Sequence, residues 1–177
     1  MRARIAYWAK DQGYDVYLIT YKYGQIGKKE VTCASKIAKS LVVPLKVIDL
    51  ASLKEIFKGV TSLCDENIQM TSNFSQSIIV PFRNAIFLSI AVAYAVSIGA
   101  IKVFYGAQGS DEPFYPDCRG EFYKSFEKTT HLGTESKITI EAPFSSMQKF
   151  EVIKLGSKLR VPLNVSTFKR KELKVSS

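Results

Sequence analysis

Histidine, cysteine and acidic side chains are all scarce in this 177-residue chain, and each shortage closes off a class of chemistry. His131 is the single histidine. A two-histidine metal site therefore cannot form within one chain, and a Ser-His-Asp triad has no spare base. Cys33, Cys64 and Cys118 are far apart and odd in number. No pair has zinc-knuckle spacing, and free thiols in a reducing cytosol fit better than a disulfide framework. Long hydrophobic runs are missing too. The longest, residues 85–101, is interrupted by Ser89, Tyr94, Ser97 and Gly99, too short and too punctuated for a membrane span. Lys10 and Asp11 follow Met1-Arg2-Ala3-Arg4 too soon for an apolar leader, so no secretory signal is expected and the expected location is cytoplasmic.

What is present is ordinary globular composition, with 46% apolar and 23% charged residues, which excludes a disordered or collagen-like chain. The length suits one domain, and such a domain buries about 70% of its unfolded surface without needing disulfide staples. The 25 basic residues outnumber the 16 acidic ones, for a net charge of +9. Residues 149–177 hold eight of the basic residues against Glu151 and Glu172, so +6 of the charge sits there. A basic end can meet nucleic acid or an anionic surface. Only Phe168 accompanies the run from Lys169 to Lys174, so a solvated end is the plainer reading and direct nucleic-acid binding is not expected. The expected organisation is a single α/β domain over 1–165 and a basic C-terminal tail over 166–177.

Apolar spacing predicts a helix around Ile5, Ala6, Trp8 and Ala9 that stops at Gly13. Strands are predicted at 16–19, 45–50, 101–105 and 138–142. Helices are predicted at 28–41, 52–57, 84–98 (stopped by Gly99), 117–132 (stopped by Gly133) and from a Ser145-x-x-Gln148 capping box to Leu159, with Pro162 barring continuation. Residues 58–79 are polar and irregular and read as a loop. Strands alternating with helices imply a doubly wound, mostly parallel sheet, whose ligands bind beyond the carboxyl ends of the strands.

Three polar clusters fall at such ends. The densest is the loop of residues 106–119, where Gly106 permits close backbone approach and Asp117 and Arg119 supply an acceptor and a planar donor fork. Asp117 suits the N–H edge of a guanine-like ring; equally, it suits capping the helix that follows. Cys118 at a helix start has the setting of a nucleophile, although a small pocket-lining residue is the better expectation. Arg83 and Asn84 open an apolar helix, where donors can face phosphate; the plainer reading is a capping Asn84 beside a surface arginine. Tyr23 and Gln25 sit in an aromatic-rich turn after a strand.

In this order and spacing the clusters resemble the 7-cyano-7-deazaguanine (preQ0) synthase family. The matching stretches are Tyr7-Trp8-Ala9-Lys10, Tyr23-Gly24-Gln25, Val47-Ile48-Asp49-Leu50, Arg83-Asn84 with Ile86-Phe87-Leu88-Ser89, and Leu132-Gly133-Thr134. Tyr115-Pro116-Asp117-Cys118-Arg119 is the most specific of them. The resemblance implies an adenine-nucleotide alpha-hydrolase-like, Rossmann-like fold. It also implies an ATP- and Mg²⁺-dependent ligase that turns 7-carboxy-7-deazaguanine and ammonia into the nitrile base of the queuosine and archaeosine tRNA pathways. On matched positions, Tyr115, Asp117, Cys118 and Arg119 would line the base pocket, and Tyr23, Gln25, Arg83, Asn84 and Gly106 would face the nucleotide. A homodimer is also implied.

Three departures stand out. The family opens on a strand and a Ser-Gly-Gly-x-Asp-Ser loop, whereas Met1 and Arg2 stand about where that motif's Asp-Ser should be. It carries Arg-His where this chain has Ile26-Gly27, and it continues into a four-cysteine zinc cluster, whereas residues 166–177 contain no cysteine. The expectation is a member incomplete at both ends, with its first strand and its zinc site missing. Two alternatives stay open: an inactive paralogue that binds a purine-like base or a partner without ATP chemistry, and an RNA-binding module acting through the basic tail.

Overall fold

The computed structural model describes residues 2–23, 29–61 and 79–162. Gln25, Cys64, the tail of residues 166–177 and most of the predicted 58–79 loop lie outside the described residues. The element order is α1 (Arg2–Asp11), β1 (Leu18–Lys22), α2 (Lys29–Leu41), β2 (Leu45–Asp49), α3 (Leu53–Phe57), α4 (Arg83–Ser97), β3 (Lys102–Phe104), a 3-10 turn (Pro116–Cys118), α5 (Gly120–Thr134), β4 (Thr139–Glu141) and α6 (Lys149–Lys158). The α/β alternation read from the sequence is present.

All described strand pairings are parallel, but they form two ribbons of two strands each. β1 pairs with β2 in the register Leu18↔Leu45 to Lys22↔Asp49, and β3 pairs with β4 from Lys102↔Thr139 to Phe104↔Glu141. Two helices reach both ribbons. On α1, Ala3 and Ala6 pack with Leu18 of β1, while Trp8 meets Phe104 of β3 edge-on at 5.5 Å. On α4, Phe87 stacks on Tyr21 of β1 at 4.1 Å, and Leu88 and Val92 pack with Val103 of β3 and Ile140 of β4. The Tyr21 hydroxyl also donates to the Phe87 carbonyl at 2.7 Å.

α4 is apolar almost all round, which is what burial between ribbons and neighbouring helices requires. Ala85, Leu88, Val92 and Ala95 are its buried residues. Each large apolar side chain so enclosed contributes about 1.5–3 kcal/mol. Gly99, at φ 67°, ends the helix as expected, because the left-handed cap costs a glycine nothing.

Five boundaries differ from the sequence reading in ways that bear on the site and its supports. The first strand begins at Leu18, not Val16, because the ladder opens only where the Leu18 N–H meets the Pro44 carbonyl at 2.9 Å. α5 starts at Gly120, since Arg119 is extended (φ −74°, ψ 150°) after the 3-10 turn. It runs through Gly133 to Thr134 and closes on Glu135 in the left-handed region. The capping box of α6 is Gln148 with Glu151: the Gln148 N–H donates to the Glu151 carboxylate at 2.7 Å. Ser145 instead closes a turn, its N–H bonded to the Ala142 carbonyl at 3.0 Å. α6 ends at Lys158, with Arg160 left-handed, so the helix stops before Pro162 is reached.

β4 has its outer side covered by α5. The Ile140 N–H donates to Glu127 Oε2 at 2.6 Å, and His131 Nε2 lies 2.8 Å from the Ile138 carbonyl oxygen. His131 thus serves the strand edge.

Candidate functional site

β3 and the start of α4 carry the polar groups that the sequence singles out. Past β3 the chain makes a three-residue turn centred on Gly106, with the Ala107 N–H bonded to the Tyr105 carbonyl at 3.2 Å. Ala107 is completely buried. The loop then lies against residues 145–148: the Gly109 N–H donates to the Met147 carbonyl at 3.3 Å, and a Cβ on Gly109 would come within 3.0 Å of the Ser145 carbonyl. That approach accounts for the glycine.

Asp117 and Asn84 are brought together. Asp117 Oδ2 accepts the Asn84 backbone N–H at 3.1 Å, and Asn84 Nδ2 donates to the Asp117 carbonyl at 3.3 Å and to Cys118 Sγ at 3.5 Å. Asp117 is therefore a cap, but of α4 and not of the helix that follows it. A carboxylate at that end also suits the helix dipole. Asn84 does not cap α4 as expected. The cap position is Phe82, in the left-handed region at φ 54°, ψ 21°.

Arg83 turns toward β1. Its Nη1 lies 3.5 Å from the Tyr23 hydroxyl, and its guanidinium carbon sits 6.0 Å from the Tyr23 ring centre. Nε is buried without a hydrogen-bond partner, and no carboxylate pairs with Arg83 among the described residues. Tyr23 itself is buried with Phe57 and Val80. Two of the three expected nucleotide-side residues that can be described as side chains, Arg83 and Tyr23, are thus in contact. The third, Asn84, is tied to Asp117 and Cys118 in the loop after β3.

Burial, reinforced by Asp117 and Asp111, pushes the Cys118 thiol up to about 12. A neutral thiol is a poor nucleophile. Burial likewise raises the Tyr115 phenol, with Asp111 adding to it and Arg83 opposing it. Arg119 is exposed and donates from Nε to the Glu112 carbonyl at 3.2 Å. With Glu112, Pro113, Gly120, Glu121 and Lys124 it lines an open cleft of about 560 Å³. Among the described residues no group of three or more His, Cys, Asp or Glu side chains could hold a metal ion, so no magnesium ligand is assigned.

The sequence model of the family described as queuosine biosynthesis protein QueC matches residues 2–169. The chain belongs to this family. It is 36% identical to the 7-cyano-7-deazaguanine synthase of Caldicellulosiruptor bescii over 160 residues, 89% of this chain and 72% of that one. The synthase of Oceanobacillus iheyensis is 40% identical over 165 residues, 89% and 74% of the two chains. That of Archaeoglobus fulgidus is 36% identical over 166 residues, 92% and 70%. Among solved structures, the NMN synthetase of Francisella tularensis superposes with a TM-score of 0.58 at 17% identity, covering 92% of this chain and 58% of that one. That likeness is one of fold, of the adenine-nucleotide alpha-hydrolase-like type. Among the described residues no helix is long and apolar enough to cross a membrane.

Sequence reasoning passed over Tyr105 and Phe82 beside this site. Tyr105 counted only as the end of a strand, and an aromatic directly before a strand-end glycine was the available signal. Nothing in the sequence marks Phe82 as a left-handed residue.

Proposed function

We propose that this chain is an ATP-dependent ligase making 7-cyano-7-deazaguanine from 7-carboxy-7-deazaguanine and ammonia. Family membership supports the reaction class. The Asn84–Asp117 bond supports the assignment of residues, because it joins the nucleotide-side helix to the base-side loop at one point. Tyr115, Asp117, Cys118 and Arg119 surround the base. Tyr23, Arg83, Asn84 and Gly106 face the nucleotide, with Gln25 added by its sequence position. On this reading the chain works in the cytoplasm as a homodimer, uses magnesium-bound ATP, and feeds queuosine or archaeosine formation.

The carboxylate attacks the α-phosphorus of ATP and pyrophosphate leaves. Ammonia then displaces AMP to give the amide. A second adenylation, on the amide oxygen, lets AMP leave again and the nitrile form. Each departing AMP carries one oxygen of the original carboxyl group, and two protons are lost from the amide nitrogen. One oxygen of Asp117 is engaged by α4, which leaves Oδ1 for the N–H edge of the base. Arg83, with no carboxylate partner among the described residues, supplies positive charge for the anion that forms and leaves. The neutral Cys118 thiol lines the pocket and takes no covalent part.

A second reading, base binding without ATP chemistry, is favoured by one observation. Two N–H groups at the start of α4 are already taken, Arg83 by the Val80 carbonyl and Asn84 by Asp117, so that end does not cradle phosphate. One experiment separates the two. The full chain is incubated with ATP, Mg²⁺, ammonium and 7-carboxy-7-deazaguanine, AMP and nitrile are followed by mass spectrometry, and base binding is measured by calorimetry. Base-dependent AMP and nitrile support the ligase. Binding without AMP supports the second reading, and neither signal overturns both.

A further inference from the structure

Tyr105 follows β3 directly, one residue before Gly106. Its ring packs against the buried cluster of Ala107, Cys118 and Ala142, which Tyr115 also covers, and stands edge-on to Tyr123, with ring centres 5.7 Å apart. Its hydroxyl is shut off from solvent and has no hydrogen-bond partner among the described residues. A buried hydroxyl left unpartnered is destabilising, and a phenylalanine would fill the same space without that cost. The neighbours are those of the candidate base pocket: Cys118 shares its cluster, and Asp117 and Glu112 add to the burial that holds the phenol protonated. The group is thus a neutral donor at any ordinary pH, placed behind the loop of Tyr115, Asp117 and Cys118. Of the other donors around the proposed pocket, Arg119 is exposed and already gives its Nε to the Glu112 carbonyl, whereas the Tyr105 hydroxyl is enclosed and its bond is not yet made among the described residues.

We propose that the Tyr105 hydroxyl is a ligand-binding donor of this site, giving its proton in a hydrogen bond to a carbonyl or carboxylate oxygen of the bound heterocycle. The inference rests on the reading of this pocket as a 7-deazaguanine site. It adds a specificity contact that discriminates against ring systems lacking an oxygen at that position, since such a ligand would leave the phenol unpaired in the complex.

The test compares the full chain with Tyr105→Phe, measuring thermal unfolding without ligand and calorimetric binding of 7-carboxy-7-deazaguanine. The expected result is a split. The variant melts at or above the wild-type temperature, because the removed hydroxyl had no partner, yet it binds roughly tenfold more weakly. Equal affinity for both proteins overturns the Tyr105 assignment and leaves the site reading standing. A lower melting temperature for the variant, with or without weaker binding, also overturns it, because the hydroxyl then has a structural partner such as an enclosed water. If the wild type does not bind the acid, the 7-deazaguanine reading falls and Tyr105 falls with it.

Discussion

Asp117 accepts the backbone N–H of Asn84, a residue 33 positions earlier in the chain, at 3.1 Å. That single bond ties the loop after β3 to the first turn of α4. Asn84 returns two bonds of its own, to the Asp117 carbonyl and to the Cys118 sulfur. The loop after β3 is therefore oriented by the same helix whose first residue, Arg83, leans on Tyr23, just past the end of β1. Residues from three separate stretches of sequence act as one unit for this reason.

Substitution at Asp117 should separate its two tasks. Asp117→Ala removes the cap of α4 and should cost about 1–2 kcal/mol in urea unfolding, the ordinary size of a lost N-terminal cap. Asp117→Asn keeps an oxygen for the Asn84 N–H and should cost less than about 1 kcal/mol. Both should weaken base binding about tenfold or more, since the charged acceptor is gone. Equal stability of all three proteins would remove the capping role.

Thiol labelling checks the state of Cys118. Its pKa, raised to about 12, leaves almost no thiolate at pH 8, and the residue is buried. Cys33 is only half-buried. Iodoacetamide at pH 8, followed by peptide mass spectrometry, should modify Cys33 well before Cys118. Raising the pH from 9 toward 12 should weaken the fold: the unfolded chain ionises this thiol from its ordinary value upward, whereas the folded chain holds its proton to about 12. Labelling of Cys118 as fast as Cys33 would contradict both its burial and its neutrality.

Local pattern made much of this fold legible, and non-local bonding hid the rest. The face of α2 and the end of α4 at Gly99 follow from apolar spacing and a glycine, which are local properties. The sequence places a capping box at Ser145-x-x-Gln148, but Ser145 closes a turn to Ala142 and the box forms three residues later at Gln148 and Glu151, with a glutamine where Ser or Thr is usual. Asp117 had two local readings, and its partner proved to lie on a different helix. Phe82, Glu135, Val42 and Arg160 all take positive φ without being glycine, so composition gave no sign of those caps. The loop of residues 106–119 stands out in the sequence as polar residues past a strand end, and its reading as a base pocket comes from the family resemblance; the Tyr105 hydroxyl, without a partner among the described residues, appears only once packing is known.

Phe82 carries a cost that substitution should reveal. A bulky residue at φ 54° is strained by about 1 kcal/mol, and this one is 68% exposed, so its packing returns little. Among the described residues its ring meets Phe122 edge-on, with ring centres 6.4 Å apart. Phe82→Gly should raise stability by about 0.5–1 kcal/mol, offset in part by the freer unfolded chain. Phe82→Ala should not raise it, because alanine keeps the strain and loses the ring contact. Chemical denaturation of the two variants measures both; a destabilised Phe82→Gly would mean the aromatic contact outweighs the backbone.

Gly156 and Arg4 give a sharper test, because the expected sign depends on the background. Arg4 is buried on α1, 8% exposed, and its stem crosses α6 at Gly156. A Cβ on Gly156 would lie 2.5 Å from Arg4 Nε, 2.9 Å from its Cδ and 3.1 Å from its Cγ. These atoms belong to the enclosed stem, which has little freedom to swing aside. Gly156→Ala should therefore destabilise the chain by about 1–3 kcal/mol, the usual scale of overpacking. In an Arg4→Ala background the obstructing atoms are gone. Alanine then exceeds glycine as a mid-helix residue by about 1 kcal/mol, so the same substitution should become neutral or stabilising. The difference between the two backgrounds is the coupling energy of a double-mutant cycle, read from urea midpoints at unchanged slope. An equal penalty in both backgrounds would show that α1 and α6 do not meet through this pair.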